Sequence, residues 1–177
     1  DIDAAERLYR RAVDVDPRYP GAYNNLGLLL QQRGRLDEAV ALHQQAGDEE
    51  ALSRDLTELG MARHGMADYA AARTAFESAV ALDLKRGEAS GEAFDRRWLG
   101  ETLSQLGRHD EALGQLQQAL ELRRKEGNRR GQREALTSLG DVYSRRTEYP
   151  QAVTAYREAA AIGHEVGERK TESAQLT

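Results

Sequence analysis

The stretch YNNLGLLLQQRGRLDEAVALHQQA, Tyr23 to Ala46, decides the fold. It carries a Leu-Gly pair at Leu26-Gly27 and a turn signal at Gly34, followed by Ala39 and Ala46 with His43 between them. Residues at i, i+4 and i+7 line one side of a helix. The two small side chains let another helix come close, and the larger one between them fills the space where the helices cross. Gly27, on the preceding helix, permits the same close approach from the other side. The stretch therefore predicts two antiparallel helices joined near Gly34.

Outward from this segment the pattern repeats. Leu-Gly recurs at Leu59-Gly60, Leu99-Gly100 and Leu139-Gly140, and Ala39, Ala72, Ala112 and Ala152 each follow twelve residues after the glycine. Ala5 is a fifth copy of that alanine. Each has a second alanine seven residues on, at Ala12, Ala46, Ala79, Ala119 and Ala159. Between the alanines stand Tyr9, His43, Phe76, Leu116 and Tyr156. One hairpin cannot bury its apolar face alone, so copies stack and share a continuous core. Gly107 and Gly127-Asn128 mark further turns, and Pro17 and Pro20 close the first helix. Helices are predicted at 3–15, 20–33, 36–46, 50–65, 68–86, 90–106, 109–126, 130–146 and 149–166, with another starting near 169.

Composition agrees with this reading. Of 177 residues, 40% are hydrophobic and 31% charged, and only 3 are proline, which suits a folded, all-helical chain. Cysteine is absent, which removes disulfides, thiolate metal sites and a thiol nucleophile and fits a reducing compartment. No apolar run approaches the roughly 20 residues that span a bilayer, and DIDAAERLYRRAV at the start lacks the character of a leader. These features predict a cytoplasmic protein with no membrane association. The net charge of −5 argues against general nucleic-acid binding. A local basic run does exist from Arg123 to Arg133, and cations favoured at a helix C-terminus explain it better than an acidic-partner patch.

The Tyr23–Ala46 segment resembles the tetratricopeptide repeat, through Tyr23, Leu26-Gly27, Leu30, Ala39 and Ala46. Later copies such as LTSLGDVYSRRTEYPQAVTAYREAAAIGHEVGER, 136 to 169, resemble the subtype with longer helices found in spindle-orientation adaptors and bacterial signalling proteins. The resemblance implies an all-α, right-handed α-solenoid of antiparallel helical hairpins, a superhelix. In this reading 1–177 is a single array: 1–19 is the second helix of a truncated unit, 20–52, 53–92, 93–132 and 133–172 are full units, and 173–177 starts another. GNRRGQREALT, 127 to 137, aligns with GERKTESAQLT, 167 to 177, so the chain reads as part of a longer array with apolar surface exposed at both ends. Arg96 departs from the pattern, standing where a large apolar residue is expected, with Trp98 directly before Leu99.

Relatives of this kind bind a peptide in a concave groove lined by the first helix of each hairpin. Carrying that over gives a ladder of partner-binding positions: Asn24, Leu28 and Gln31; Thr57, Met61 and His64; Arg97, Glu101 and Ser104; Thr137, Asp141 and Ser144. Phe94, Arg97, Trp98 and Glu101 also fall on one stripe, rich in the residue types of interface hot spots. Trp98 reads either as packing between hairpins or as a partner contact. Some relatives clamp a C-terminal carboxylate with Lys, Asn and Arg, but here Thr57 and Thr137 replace Lys, and Leu28, Met61, Glu101 and Asp141 replace Asn. The histidines show no metal-ligand spacing, His43 reads as a packing residue, and no phosphate loop or nucleophile–base set is present. The sequence thus predicts no cofactor, no metal and no enzyme. It predicts a scaffold or adaptor holding a protein or peptide, with self-association through exposed ends. The alternative is a regulatory or self-associating segment of a larger signalling protein, an ATPase or a transcription regulator.

Overall fold

The computed structural model describes residues 1–16 and 19–175, with side chains through Gly167. Pro17 lies outside the described residues. Among these residues the chain forms nine helices and no strand: α1 Ile2–Val15, α2 Pro20–Gln32, α3 Leu36–Ala46, α4 Glu49–Gly65, α5 Tyr69–Arg86, α6 Ala89–Gln105, α7 His109–Lys125, α8 Arg129–Arg145 and α9 Tyr149–Gln175. Each start falls within one residue of its predicted position. Successive helices pack on one another, and the first helices of neighbouring hairpins also touch, α4 on α6 and α6 on α8. The array is an α-solenoid of helical hairpins.

The residues that set the helix ends are local. Asp48 accepts from the Ala51 amide at 3.0 Å to start α4, and Asn128 accepts from Gly131 at 2.9 Å to start α8. Gly87 takes φ 73° at the end of α5, a left-handed conformation that costs a residue with a Cβ about 1–2 kcal/mol. Thr147 adopts the same region at φ 61° between α8 and α9. The separate helix predicted to start near 169 is not formed, because α9 continues to Gln175. Gly167 does not make the left-handed turn that Gly47, Gly87 and Gly127 make at matching positions. The chain there satisfies its backbone polar groups within one helix instead.

The glycine-to-large-residue contact forms as predicted. A Cβ placed on Gly60 would stand 2.6 Å from the Phe76 ring, one on Gly100 2.6 Å from Leu116, and one on Gly140 2.6 Å from Tyr156. Gly27 meets the His43 ring in the same way. Ala39, Ala72, Ala112 and Ala119 are fully buried around these contacts. Ala46 is exposed, because α3 ends there and no further turn carries it across its neighbour. Arg96 is accommodated by polar partners, donating to Glu92 at 2.7 Å and to Gln115 at 2.6 Å.

Among the described residues, much of the buried apolar core gathers in two clusters. Val13, Tyr23, Leu26, Leu30 and Ala39 join α1 to α3, while Phe76, Leu99, Leu103, Leu116, Leu136 and Val142 belong to the one that runs from α5 to α9. Between them, at the junction of α2 and α3 with α4, lies a buried polar group in which His43 Nδ1 meets Asp55 at 2.5 Å and Gln31 donates to the other Asp55 oxygen.

Replacing Gly60 by Ala should lower stability by about 1–3 kcal/mol, since Phe76 and its neighbours must move. Gly114, in α7, has nothing within 4 Å of a would-be Cβ. Gly114→Ala should therefore raise stability by roughly 0.5–1 kcal/mol through helix propensity alone. Thermal unfolding followed by circular dichroism checks both, and equal shifts for the two variants would contradict the crossing geometry.

Candidate functional site

Helical spacing places Glu50, Ser53, Arg54, Thr57, Glu58 and Met61 of α4 on one face. They look across at Ser90, Gly91, Phe94 and Asp95 of α6, and a cleft of about 560 Å³ lies between. Asp83 and Arg86 from the end of α5, Glu88 just before α6, and Arg123 from the end of α7 complete its walls. A second cleft, of about 290 Å³, runs between α2 and α4 and is lined by Asn24, Leu28, Gln31, His43, Asp48 and Ala51. Glu50 and Arg54 border both, so the two openings adjoin.

The predicted ladder divides between these clefts and other settings. Asn24, Leu28 and Gln31 come together in the smaller cleft, with Leu28 51% exposed. Thr57, Met61 and Phe94 come together in the larger. Arg97, Trp98 and Glu101 do form one stripe, but they mostly serve one another. The Arg97 guanidinium sits 5.0 Å from the Trp98 ring centre and 5.5 Å from that of Phe94, and it pairs with Glu101 at 2.6 Å. Trp98 is half-buried, stacked 6.1 Å from Phe76 and edge-on to His64 at 5.3 Å.

His64 is likewise engaged inside the array. The Thr102 hydroxyl gives its hydrogen to the Trp98 carbonyl at 2.7 Å, so it accepts from His64 Nδ1 at 2.9 Å. Burial holds the His64 imidazole below its ordinary pKa, against the opposing pull of Glu101. Ser104 is 6% exposed with its hydroxyl unpartnered, so it faces the interior and not a groove. Thr137, Asp141 and Ser144 are exposed on α8. Thr137 bonds the Arg133 carbonyl, and Asp141 accepts the Tyr156 hydroxyl at 2.5 Å, which pushes that phenol up to about 12.

Sequence reasoning missed the buried carboxylates beneath the clefts. Asp55 is fully buried and Asp95 is 1% exposed, each four residues before the Leu of a Leu-Gly pair, where Ala22 and Ala135 stand in the other units. That shared register was the available signal. Asp83 is 3% exposed and accepts from Ser53 at 2.6 Å, its carboxylate lying over Gly91, where a side chain would collide with it. Burial pushes Asp95 up to about 7, nearby Asp83 adds to the rise, and the Thr57 hydrogen bond opposes it. Glu58 is raised for the same first reason and by Asp55.

Sequence models of the tetratricopeptide repeat match residues 1–50 and 57–128 in one case and 95–163 in another. The chain belongs to the tetratricopeptide repeat family. Arrays of this family are scaffolds for protein–protein interaction. Solved structures of like shape include MamA, 22% identical over 95% of this chain and 92% of that one, with a TM-score of 0.67. BtubC from P. vanneervenii is 19% identical over 93% of this chain and 71% of its own, with a TM-score of 0.68. YrrB, a TPR protein with an unusual peptide-binding site, is 21% identical over 91% and 77%, with a TM-score of 0.64. At these identities the likeness is one of fold. No curated protein matches the chain.

Elsewhere on the TPR array, Arg123, Arg124, Arg129 and Arg130 of the basic run form ion pairs. Arg123 donates to Ser90 at 3.0 Å and Glu126 at 2.9 Å, Arg124 bridges Glu121 and Glu158 at 2.8 Å each, and Arg130 pairs with Glu134 at 2.9 Å. Among the described residues no group of three His, Asp or Glu gathers to hold a metal ion, and no helix is long and apolar enough to cross a membrane.

The raised pKa of Asp95 means that the folded chain holds a proton there which the unfolded chain releases near pH 4. This site's contribution to stability is therefore greatest at acid pH and falls as pH rises from about 4 to about 7. Asp95→Asn should gain in melting temperature relative to the wild type as pH goes from 5 to 8. A constant difference across that window would contradict the burial-driven shift.

Proposed function

We propose that this array holds an extended or helical segment of another protein along its concave face, in the two adjoining clefts bordered by α2, α4 and α6. The supporting observation is the openness of these clefts, which present polar groups together with uncovered apolar surface at Leu28, Met61 and Phe94. A core helix face would have closed over such residues. The peptide-binding site of YrrB, of like fold, favours the same reading. Asn24, Leu28, Gln31, Thr57, Met61 and Phe94 are its contacts, with Arg97, Trp98 and Glu101 as a rigid neighbouring edge. Affinity in the micromolar range, about −8 kcal/mol, suits a segment bound without deep burial. The absence of cysteine fits action in the cytoplasm.

Peptides selected from a random display library on the immobilised chain should shift amide resonances of α4 and α6 in a ¹⁵N correlation spectrum. Phe94→Ala should weaken them about tenfold or more, as for an aromatic contact of hot-spot kind. Binders that map to the outer helices α5 and α7, or that ignore Phe94→Ala, would reject the groove.

A second reading, self-association, is favoured by apolar side chains uncovered on the outermost described helices. Leu8 and Val15 of α1 are 66% and 77% exposed, and Tyr149 and Val153 of α9 are 60% and 45% exposed. Stacking of a second copy would cover them, as neighbouring hairpins cover the matching faces within the array. Light scattering on this 177-residue chain should give a mass that climbs with concentration and returns to the monomer value in Leu8→Ser/Val153→Ser. A constant monomer mass for the wild type would exclude it.

A further inference from the structure

Asp55 and Asp95 are the same position of the repeat, yet their surroundings differ. Asp55 is supplied with donors on both oxygens, by Gln31 on one and by His43 Nδ1 on the other. Asp95 is not. Twelve residues before Asp95, where His43 stands before Asp55, is Asp83, whose side chain has no N–H to give. Among the described residues the donor to Asp95 is the Thr57 hydroxyl, 2.9 Å and 3.0 Å from its two oxygens and also 3.0 Å from the Ser53 carbonyl. One hydrogen serves one of those three acceptors. An ionised Asp95 therefore keeps an oxygen with no hydrogen, in a side chain that is 1% exposed and lines the larger cleft.

The charges around it are unbalanced in the same sense. Glu50, Glu58, Asp83, Glu88 and Asp95 line the cleft against Arg54, Arg86 and Arg123. Arg86 is shared between Asp83 at 3.6 Å and Glu50 at 3.7 Å, and Arg123 is already neutralised by Glu126, outside the lining. Arg54 faces Glu58, and Arg97, further along α6, is held by Glu101. The acids remain in excess, and Phe94 and Met61 stand beside them as an apolar wall.

We propose that this cleft receives a cationic side chain of the bound polypeptide, an arginine or lysine whose N–H groups supply Asp95 and Asp83 while its aliphatic stem lies along Phe94 and Met61. The inference rests on the groove reading above and adds what the groove selects. Charge-assisted bonds to a carboxylate short of donors are the stronger kind, and an aliphatic stem can lie along apolar side chains while its charged head reaches a polar group. Without a ligand, a proton does the same work: Asp95–OH donates to Thr57, whose hydrogen is then free for the Ser53 carbonyl. Binding of the cation displaces that proton, so affinity rises with pH through about 7, where Asp95 titrates.

The probe is N-acetylarginine methylamide, titrated into the ¹⁵N-labelled 177-residue chain, with the uncharged N-acetylcitrulline methylamide as its control. The arginine compound should move the amides of Thr57, Gly91 and Phe94 at pH 8, with citrulline at least about tenfold weaker. Its affinity should drop roughly tenfold at pH 6, in proportion to the ionised fraction of Asp95. Asp95→Asn, shown to be folded by its dispersed spectrum, should lose the arginine response and the pH dependence together. Citrulline binding as well as arginine, N-acetylglutamate methylamide moving the same amides instead, or arginine binding unchanged in Asp95→Asn would overturn the subsite. The groove reading fails separately: display-selected peptides that occupy α4 and α6 without a basic residue overturn the subsite and leave the groove standing, whereas an arginine response with binders confined to α5 and α7 does the reverse.

Discussion

At every full hairpin a glycine on the first helix lies against a large side chain on the second: Gly27 on His43, Gly60 on Phe76, Gly100 on Leu116 and Gly140 on Tyr156. The spacing of the two helix axes follows from this contact, because any Cβ there would overlap the facing ring or branch. Alanines above and below, at Ala72, Ala79, Ala112 and Ala119, have no measurable exposure and keep the approach equally close over two turns. Interiors packed at this density transmit position with little slack. The first helices are therefore held at a repeating rise, and the face they turn away from their partners becomes a regular surface.

That surface is where the units cease to be alike. Ala22 and Ala135 fill their shared register with a methyl group, whereas Asp55 and Asp95 put a carboxylate in the same buried place. A buried charge is costly unless paired and hydrogen-bonded. His43 and Gln31 meet that demand for Asp55, and the resulting polar junction separates the two apolar clusters. Asp83 stands before Asp95 where His43 stands before Asp55 and offers no N–H, so among the described residues the donor to Asp95 is the Thr57 hydroxyl. That poorly supplied acid opens onto the larger cleft.

Arginine is handled differently in the two halves of the same surface. Around Arg97 the guanidinium lies over two aromatic rings and is paired with Glu101, so the stripe forms a stiff edge with few groups left to offer. Arg123, Arg124, Arg129 and Arg130 read as part of a basic patch in one dimension, yet in space they meet acids of α7, α8 and α9 and of the turn after α7. Exposed pairs of this kind contribute little stability individually. They tie up these cations, while the α4–α6 cleft keeps an excess of carboxylates.

The amino-acid order alone determined the helices and their hairpin pairing, because small residues at i and i+7 with a large one between them have one reasonable use, a close helix crossing. The Leu-Gly register also singled out the first helix of each hairpin, and Asn24, Leu28, Thr57, Met61 and Phe94 on those helices border the clefts. Only the tertiary structure decided which of the predicted partner-binding positions are already engaged by the protein's own side chains. His64 turned to Thr102, Ser104 turned inward and Asp141 was taken by Tyr156, since each depends on a residue 15 to 38 positions away or on an adjoining helix. The buried acids were invisible for the same reason: an aspartate reads as a solvated helix residue until the neighbouring hairpin closes over it. Periodicity in the chain sets local geometry, while burial and charge balance arise from contacts between units that periodicity does not specify.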